Sequence, residues 1–191
     1  MIFIIQSERA IPVRHTTAEN MQCPIARGLD RVGEWWSMLI LRDAFYGFTR
    51  FDDFQTSLGI APNILSRRLA TLVEVGMLER RRYSTRPVRH EYVLTERGRD
   101  FRPVLLAMMA WGNRHFAAEG HAIELVDRQL GHVVEPVLVD RLTGEPITRE
   151  RHEMRAGPAA SERMRARIAF RNSRAQARQT LSDPHLPESP P

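Results

Sequence analysis

Seven arginines fall between residues 62 and 90, at positions 67, 68, 80, 81, 82, 86 and 89, against two glutamates at 74 and 79. A guanidinium is permanently charged and presents a planar fork of donors, which suits phosphate oxygens and the paired acceptors of a guanine edge. The local excess of five positive charges equals the formal net charge of +5 for the whole 191-residue chain. A polyphosphate backbone rewards such a concentration by releasing its counterions. All 28 basic residues are arginine, so the elements that carry the cluster, rather than its residue type, decide its meaning. The second chemically distinctive residue is Cys23, the only cysteine, placed directly before Pro24. A thiol at a helix N-terminus gains from the positive end of the dipole, and Arg27 one turn on further favours the thiolate.

The positioning elements follow from spacing. Pro62 suits the first turn of a helix, where its missing N–H would be unpaired anyway. Leu65, Leu69 and Leu72 recur at i, i+4 and i+7 and predict one buried face. Asn63, Ser66, Arg67 and Thr71 lie away from that stripe, and Arg68 is grouped with them. Gly76 is placed to stop the helix in a left-handed conformation. A hairpin is expected next, with Met77–Tyr83 going out, Glu91–Leu94 returning, and Arg86, Pro87, Arg89 and His90 in a tip spanning Ser84–His90. Upstream, Phe51, Phe54 and Leu58 predict a short helix, and Gly59-Ile60-Ala61 a tight turn. Helix, glycine-containing turn, helix and hairpin is the order of a winged helix-turn-helix, whose second helix enters the major groove of DNA. On that reading Asn63, Ser66 and Arg67 are the base-edge candidates, each good bidentate pair being worth roughly 1–3 kcal/mol of discrimination. Arg68 and Thr71 serve bases or phosphates. Arg80, Arg82, Arg86 and Arg89 are the wing contacts, and a tip arginine suits a narrow minor groove.

The expected fold class is mainly α with a small β-wing, plus a small C-terminal β-hairpin appendage. Residues 1–20 carry no period and read as a flexible leader. The winged domain and its flanking helices occupy 21–118. Cys23-Pro24 opens its first helix, with Ile25, Leu29 and Val32 as the buried stripe and Gly33 as the stop. Trp35-Trp36 leads a second helix through Phe45. After the hairpin Thr95 is placed to N-cap, and Arg99–Ala118 reads as a long amphipathic helix, with Pro103 marking its start or a kink. Its apolar face needs a cover, and a second copy of the chain is the economical one, because two-fold dimers match two-fold DNA sites. Ile25, Leu29, Leu105, Met108, Trp111 and Phe116 are the candidate dimer interface. Residues 119–149 read as the hairpin appendage, with Val133–Asp140 as a strand, Thr143-Gly144 as a turn and Glu145–Ile147 returning. Residues 150–191 are Arg-rich and expected to be largely disordered, with a transient basic helix over 164–177.

Several function classes are disfavoured. No run of 18 apolar residues exists, so no membrane partner is expected. Met1–Ile5 is too short for a signal-peptide core, which makes a cytoplasmic location the default. One cysteine excludes an intrachain disulfide framework and a multi-cysteine zinc site. An enzyme using Cys23 as nucleophile needs a positioned base, and the nearest histidine in sequence is His15 in the leader, so neither catalysis nor a cofactor is expected. A winged-helix protein–protein module without specific DNA binding is the alternative, against which the arginine excess argues.

The order of motifs resembles the HxlR family of bacterial, MarR-like winged helix-turn-helix regulators. The matching residues are Cys23–Gly33 with Trp36, Leu39–Asp43, Gly47, Arg50–Phe54, Gly59–Pro62, Leu65–Leu69, Leu72, Gly76–Arg80, Tyr83, Pro87–Tyr92, Leu94-Thr95, Gly98 and Trp111, so the match covers about 21–117. The resemblance implies a homodimer on a pseudo-palindromic operator, with the helices flanking the winged domain forming the dimer interface. In some members the cysteine at the place of Cys23 senses electrophiles or oxidants, which makes Cys23 a candidate redox sensor and a small-molecule or oxidant effector an expectation. Some longer relatives carry a Cys-Gly-His and a later Cys-rich turn suggestive of a zinc-ribbon-like hairpin. Here Leu130-Gly131-His132 and Leu142–Pro146 keep that frame without the cysteines, so no structural zinc is expected.

Overall fold

The computed structural model describes residues 22–181, with side-chain surroundings through Arg174. The expected leader, 1–20, and residues 182–191 of the tail lie outside the described residues. The element order is α1 (Pro24–Val32), α2 (Trp35–Phe45), α3 (Phe51–Leu58), α4 (Pro62–Glu74), β1 (Leu78–Thr85), β2 (Val88–Leu94), α5 (Glu96–Arg99), α6 (Arg102–Phe116) and α7 (Glu162–Leu181).

One core joins α2, α3, α4 and the base of the hairpin. Ile40, Leu41, Phe54, Leu65, Leu69 and Leu72 are fully buried in it, and Leu78 nearly so. The leucine stripe of α4 therefore points inward as its spacing predicts. Each such burial stabilises the fold by roughly 1.5–3 kcal/mol. Gly59 makes the turn between α3 and α4 at φ +60°, a conformation a β-carbon disfavours, and its N–H closes α3 on the carbonyl of Gln55. Gly76, at φ +71°, follows α4.

The hairpin is longer than expected. β1 and β2 pair antiparallel from Leu78↔Leu94 to Thr85↔Val88, with an irregularity between Arg82 and Ser84. Only Arg86 and Pro87 lie between the strands, so Arg89 and His90 belong to β2 rather than to the tip. A bulge absorbs the odd residue at Tyr83, and β-branched Thr85 and Val88 carry the ladder onward. The Tyr92 N–H also donates to the Thr49 carbonyl at 2.7 Å, and Arg50 bridges to Glu91. The segment before α3 thus gives β2 a short second neighbour. At the hairpin's base the Thr95 hydroxyl donates to the Gly76 carbonyl at 2.6 Å and accepts from the Gly98 N–H at 3.0 Å.

Other expectations need correction. The stripe of α1 is not buried in the protomer, where only Val32 reaches the core while Ile25 and Leu29 are exposed. The long helix does not begin at Arg99. A Thr95-capped α5 ends there, and α6 starts at Arg102 with Pro103 in its first turn, where a missing N–H costs nothing. The 119–149 segment forms no extended strand pair. It makes two matching tight loops, bridged at Val126↔Val133 and Val139↔Pro146. Asp127 and Asp140 open them, their carboxylates accepting from the N–H groups of Gln129 and Leu130 and of Leu142. Gly131 and Gly144 share φ +72°, and each N–H returns to the carbonyl of its aspartate. Pro136 and Pro146 lack the N–H a longer ladder would need. The loops lean on α6 through Asn113, which donates to the Ile123 carbonyl, and through an Arg114–Glu135 ion pair.

The tail carries more helix than expected, because α7 spans Glu162–Leu181 and contains the basic helix expected over 164–177. Alanine and arginine are strong helix formers, and the Ser161 hydroxyl accepts from the Met164 N–H as an N-cap would. Ser161, Met164, Ile168 and Asn172 are half-buried at helical spacing, and the Ser161 N–H donates to Gln22 beside the start of α1. Among the described residues no helix is long and apolar enough to cross a membrane.

Candidate nucleic-acid interface

The buried leucines of α4 fix what the helix offers outward. Asn63, Ser66 and Arg67 are exposed, and Thr71 is half-buried with its hydroxyl on the Arg67 carbonyl at 3.1 Å. Asn63 Oδ1 accepts from the Ile64 N–H at 2.9 Å, which leaves its amide nitrogen to project outward. The Arg67 guanidinium makes no hydrogen bond or ion pair among the described residues.

Arg68 differs from its neighbours. Its Nε lies 2.9 Å from Glu34 Oε2, with side-chain exposures of 22% and 33%. The N–H is poorly aligned with that oxygen, so the contact is an ion pair rather than a good hydrogen bond. Glu34 also N-caps α2 by accepting from the Ser37 N–H. Arg68 therefore ties α4 to the α1–α2 junction instead of standing free with Arg67. Sequence reasoning missed Glu34. The signal was available on the helix, because Arg68 lies only about 40° around from Leu72 at 100° per residue.

The wing arginines divide in the same way. Arg80 Nη2 lies 3.0 Å from His90 Nδ1 across the hairpin, and Arg81 is paired with Glu79. Arg82, Arg86 and Arg89 are exposed and without such partners among the described residues. Arg50, not singled out in the sequence, lays its guanidinium over the Tyr83 ring at 4.9 Å to the centroid, bracing the bulge. The resulting surface is a helix edge carrying Arg67, followed by a ribbon carrying Arg82, Arg86 and Arg89. Unneutralised guanidinium groups on a rigid helix and hairpin can bind a phosphate backbone and read a guanine edge.

Cys23 is the N-cap of α1 and is half-buried. The N–H of Ala26 chiefly holds its thiol below the ordinary value. Partial burial opposes this, and the Ile25 N–H and the Arg167 charge assist it. The expected influence of the helix N-terminus is thus present, with Arg167 of α7 as a cation the sequence did not suggest. The proposed interface residues separate into two sets. Leu105 packs against the core, whereas Ile25, Leu29, Met108, Trp111 and Phe116 are exposed.

A three-helix core with α3, the Gly59 turn, α4 and a two-stranded wing defines a winged helix-turn-helix protein. A family model described as HxlR-like helix-turn-helix matches residues 31–120. An HTH-type transcriptional regulator of Mycobacterium bovis is 42% identical over 135 residues, covering 70% of this chain and 85% of the relative. A solved structure from Pseudomonas aeruginosa, described as a transcription factor, is 54% identical and covers 76% of this chain and all of its own, at a TM-score of 0.56. A second structure so described is 39% identical, covers 74% of this chain, and superposes at a TM-score of 0.66. The chain belongs to the HxlR-like helix-turn-helix family of transcriptional regulators.

Proposed function

We propose that this regulator binds a pseudo-palindromic operator sequence-specifically as a homodimer. The observation that carries the reading is the two-faced α4. Leu65, Leu69 and Leu72 lock it into the core while Asn63, Ser66 and Arg67 face outward beside the unpaired wing arginines. Base reading belongs to Asn63, Ser66 and Arg67, and backbone contact to Arg82, Arg86 and Arg89, with Arg80 and Thr71 supporting. Arg68 positions α4. The dimer reading rests on the exposed apolar faces of α1 and α6, where Trp111 is 57% and Phe116 70% exposed. These faces are what a second copy would cover. No catalytic step is part of the reading, and a cytoplasmic location fits a double-stranded DNA partner.

The test is fluorescence anisotropy on DNA from upstream of the chain's own gene, with random duplex as competitor. Arg67→Ala should cut the preference for the operator by about 1–3 kcal/mol. Arg86→Ala should weaken operator and random DNA alike and reduce the salt slope by about one unit. Equal losses on both DNAs for Arg67→Ala would remove Arg67 from base reading. No preference for any operator would favour the protein–protein module.

A second reading concerns Cys23, which stands at the start of α1 where the Ala26 N–H lowers its thiol pKa from the ordinary value. We propose that oxidants or electrophiles acting there alter DNA affinity. Release of operator by a thiol oxidant in the parent protein, with Cys23→Ser indifferent, is the expected result. Indifference of both leaves Cys23 as packing.

A further inference from the structure

The positive charge of this chain is split between two places. Residues 62–90 hold a net +5, and α7 (residues 162–181) holds six arginines against Glu162, another net +5. A chain of net +5 with two such segments carries −5 on everything else. The first segment is the winged interface. The second has no role in that reading.

Four of the arginines of α7 share one face, whereas Arg165 lies at least about 120° away from them and donates to the Pro158 carbonyl at 3.4 Å. At 100° per residue Arg163, Arg167, Arg171 and Arg174 lie within about 80° of one another, and the same spacing reaches Arg178. The half-buried residues Ser161, Met164, Ile168 and Asn172 occupy an adjacent face, so the arginine stripe points to solvent while α7 stays seated near the start of α1. From Arg163 to Arg174 the stripe runs about 16 Å at 1.5 Å per residue. No arginine of α7 is ion-paired to a carboxylate among the described residues. Arg171 touches Asn172, and Arg174 lies over the exposed Phe170 ring. Like charges at i, i+4 destabilise a helix. The stripe repeats that arrangement at Arg163/Arg167 and Arg167/Arg171 without an internal counter-charge. An ordinary solvated helix face mixes both signs, whereas this one suits an external polyanion.

We propose that the Arg163/Arg167/Arg171/Arg174 stripe of α7 is a second, sequence-independent contact surface for the DNA phosphate backbone. It works beside the base-reading surface of α4 and rests on the DNA-binding reading above. DNA is the occupant because charge complementarity calls for an extended polyanion and the chain already presents a separate surface to one.

The test uses the full chain and a random-sequence 40-base-pair duplex, so it needs no operator. The variant is R163Q/R167Q/R171Q/R174Q, checked by circular dichroism for retained helix. The charge-keeping control replaces the same four residues with lysine. Four lost phosphate contacts should lower the slope of log K against log salt by about 3–4 units. Between 50 and 200 mM salt the parent should then lose about a hundredfold more affinity than the glutamine variant. The lysine variant should keep the parent's slope. Matching slopes for parent and glutamine variant overturn the proposal. If the glutamine variant instead loses only binding to anionic vesicles or to polyglutamate, the stripe serves another partner and the proposal also fails. Failure of the operator reading alone would appear as equal affinity for operator and random DNA with the slope difference intact.

Discussion

Glu34→Gln is the perturbation that separates positioning from base reading in α4. The Glu34–Arg68 pair is partly screened, at 33% and 22% side-chain exposure. Fully exposed pairs contribute about 0.2–1 kcal/mol, and breaking a fully buried pair costs about 3–5 kcal/mol. After discounting for solvent, a coupling of about 1 kcal/mol is expected, nearer the exposed limit. Glutamine retains an acceptor for the Ser37 N–H, so the α2 cap survives and the change isolates the charge. In a chain of 191 residues 1 kcal/mol corresponds to roughly 2–4 °C in Tm. The assay is a thermal-melt cycle of Glu34→Gln, Arg68→Gln and the double variant, with operator affinity measured on each. Both single variants should melt several degrees lower, and the double should melt no lower than the worse single. Glu34→Gln should also weaken operator preference, although Glu34 is not among the proposed DNA contacts. Tenfold weaker operator binding by Arg68→Gln, with Tm unchanged and no coupling to Glu34, would make Arg68 a base contact and refute the reasoning.

Three further outcomes are expected. A β-carbon at Gly98 would lie 2.1 Å from the Met77 carbonyl oxygen, so Gly98→Ala should destabilise the domain by about 1–3 kcal/mol, read as a lower Tm; an unchanged Tm would show that the Thr95 turn yields easily. Backbone N–H groups of Leu130 and Gln129 hold the Asp127 pKa below the usual carboxylate range, and the Leu142 N–H and the Thr143 hydroxyl do the same for Asp140. Their stabilisation is therefore complete above about pH 4, the unfolded carboxylate value, and is lost as pH falls through the lower folded values. Protection of the Gln129, Leu130 and Leu142 amides, taken relative to the free-peptide exchange rate at each pH, should fall only in that acid window, and Asp127→Ala should lower it in the first loop at neutral pH. Trp111→Ser should shift sedimentation toward the monomer without lowering helix content, while an unchanged mass would move the dimer contact off α6.

The elements that position the interface were legible because local and long-range signals agree there. Pro62, the leucine stripe and Gly76 each specify the same helix, and the structure gives Pro62–Glu74. The wing's existence was legible and its length was not. Strand pairing through Thr85 and Val88 depends on a bulge at Tyr83, braced by Arg50, and Arg50 precedes a different element. The same limit hid the partner of Arg68, because Glu34 lies far away in sequence and reaches α4 only once α2 is packed. In the appendage the apolar run Val133–Val139 suggested a strand, but two aspartate-closed turns satisfy the backbone more locally. In the tail, composition suggested disorder, while the sparse stripe Met164 and Ile168 is enough to seat a strong helix former on the body.

The apolar face of α6 marks where periodicity stops being informative. Leu105, Met108 and Trp111 share one stripe by spacing, yet Leu105 packs against the core while Met108 and Trp111 are half or more exposed. The difference comes from length. A helix of 15 residues runs about 22 Å, and only its first turns, with Phe101 before them, reach the winged core. The rest overhangs, where Trp111 and Phe116 meet edge to face at 4.9 Å between ring centroids. An aromatic pair so exposed is unfavourable in water unless another apolar surface covers it. α1 has the same character, with Ile25 and Leu29 exposed beyond Val32. Two helices that each begin or end in the core and extend apolar residues past it present one requirement twice. The overhang, rather than the periodicity, is therefore the physical argument for a second copy, and Trp111→Ser tests it at its centre.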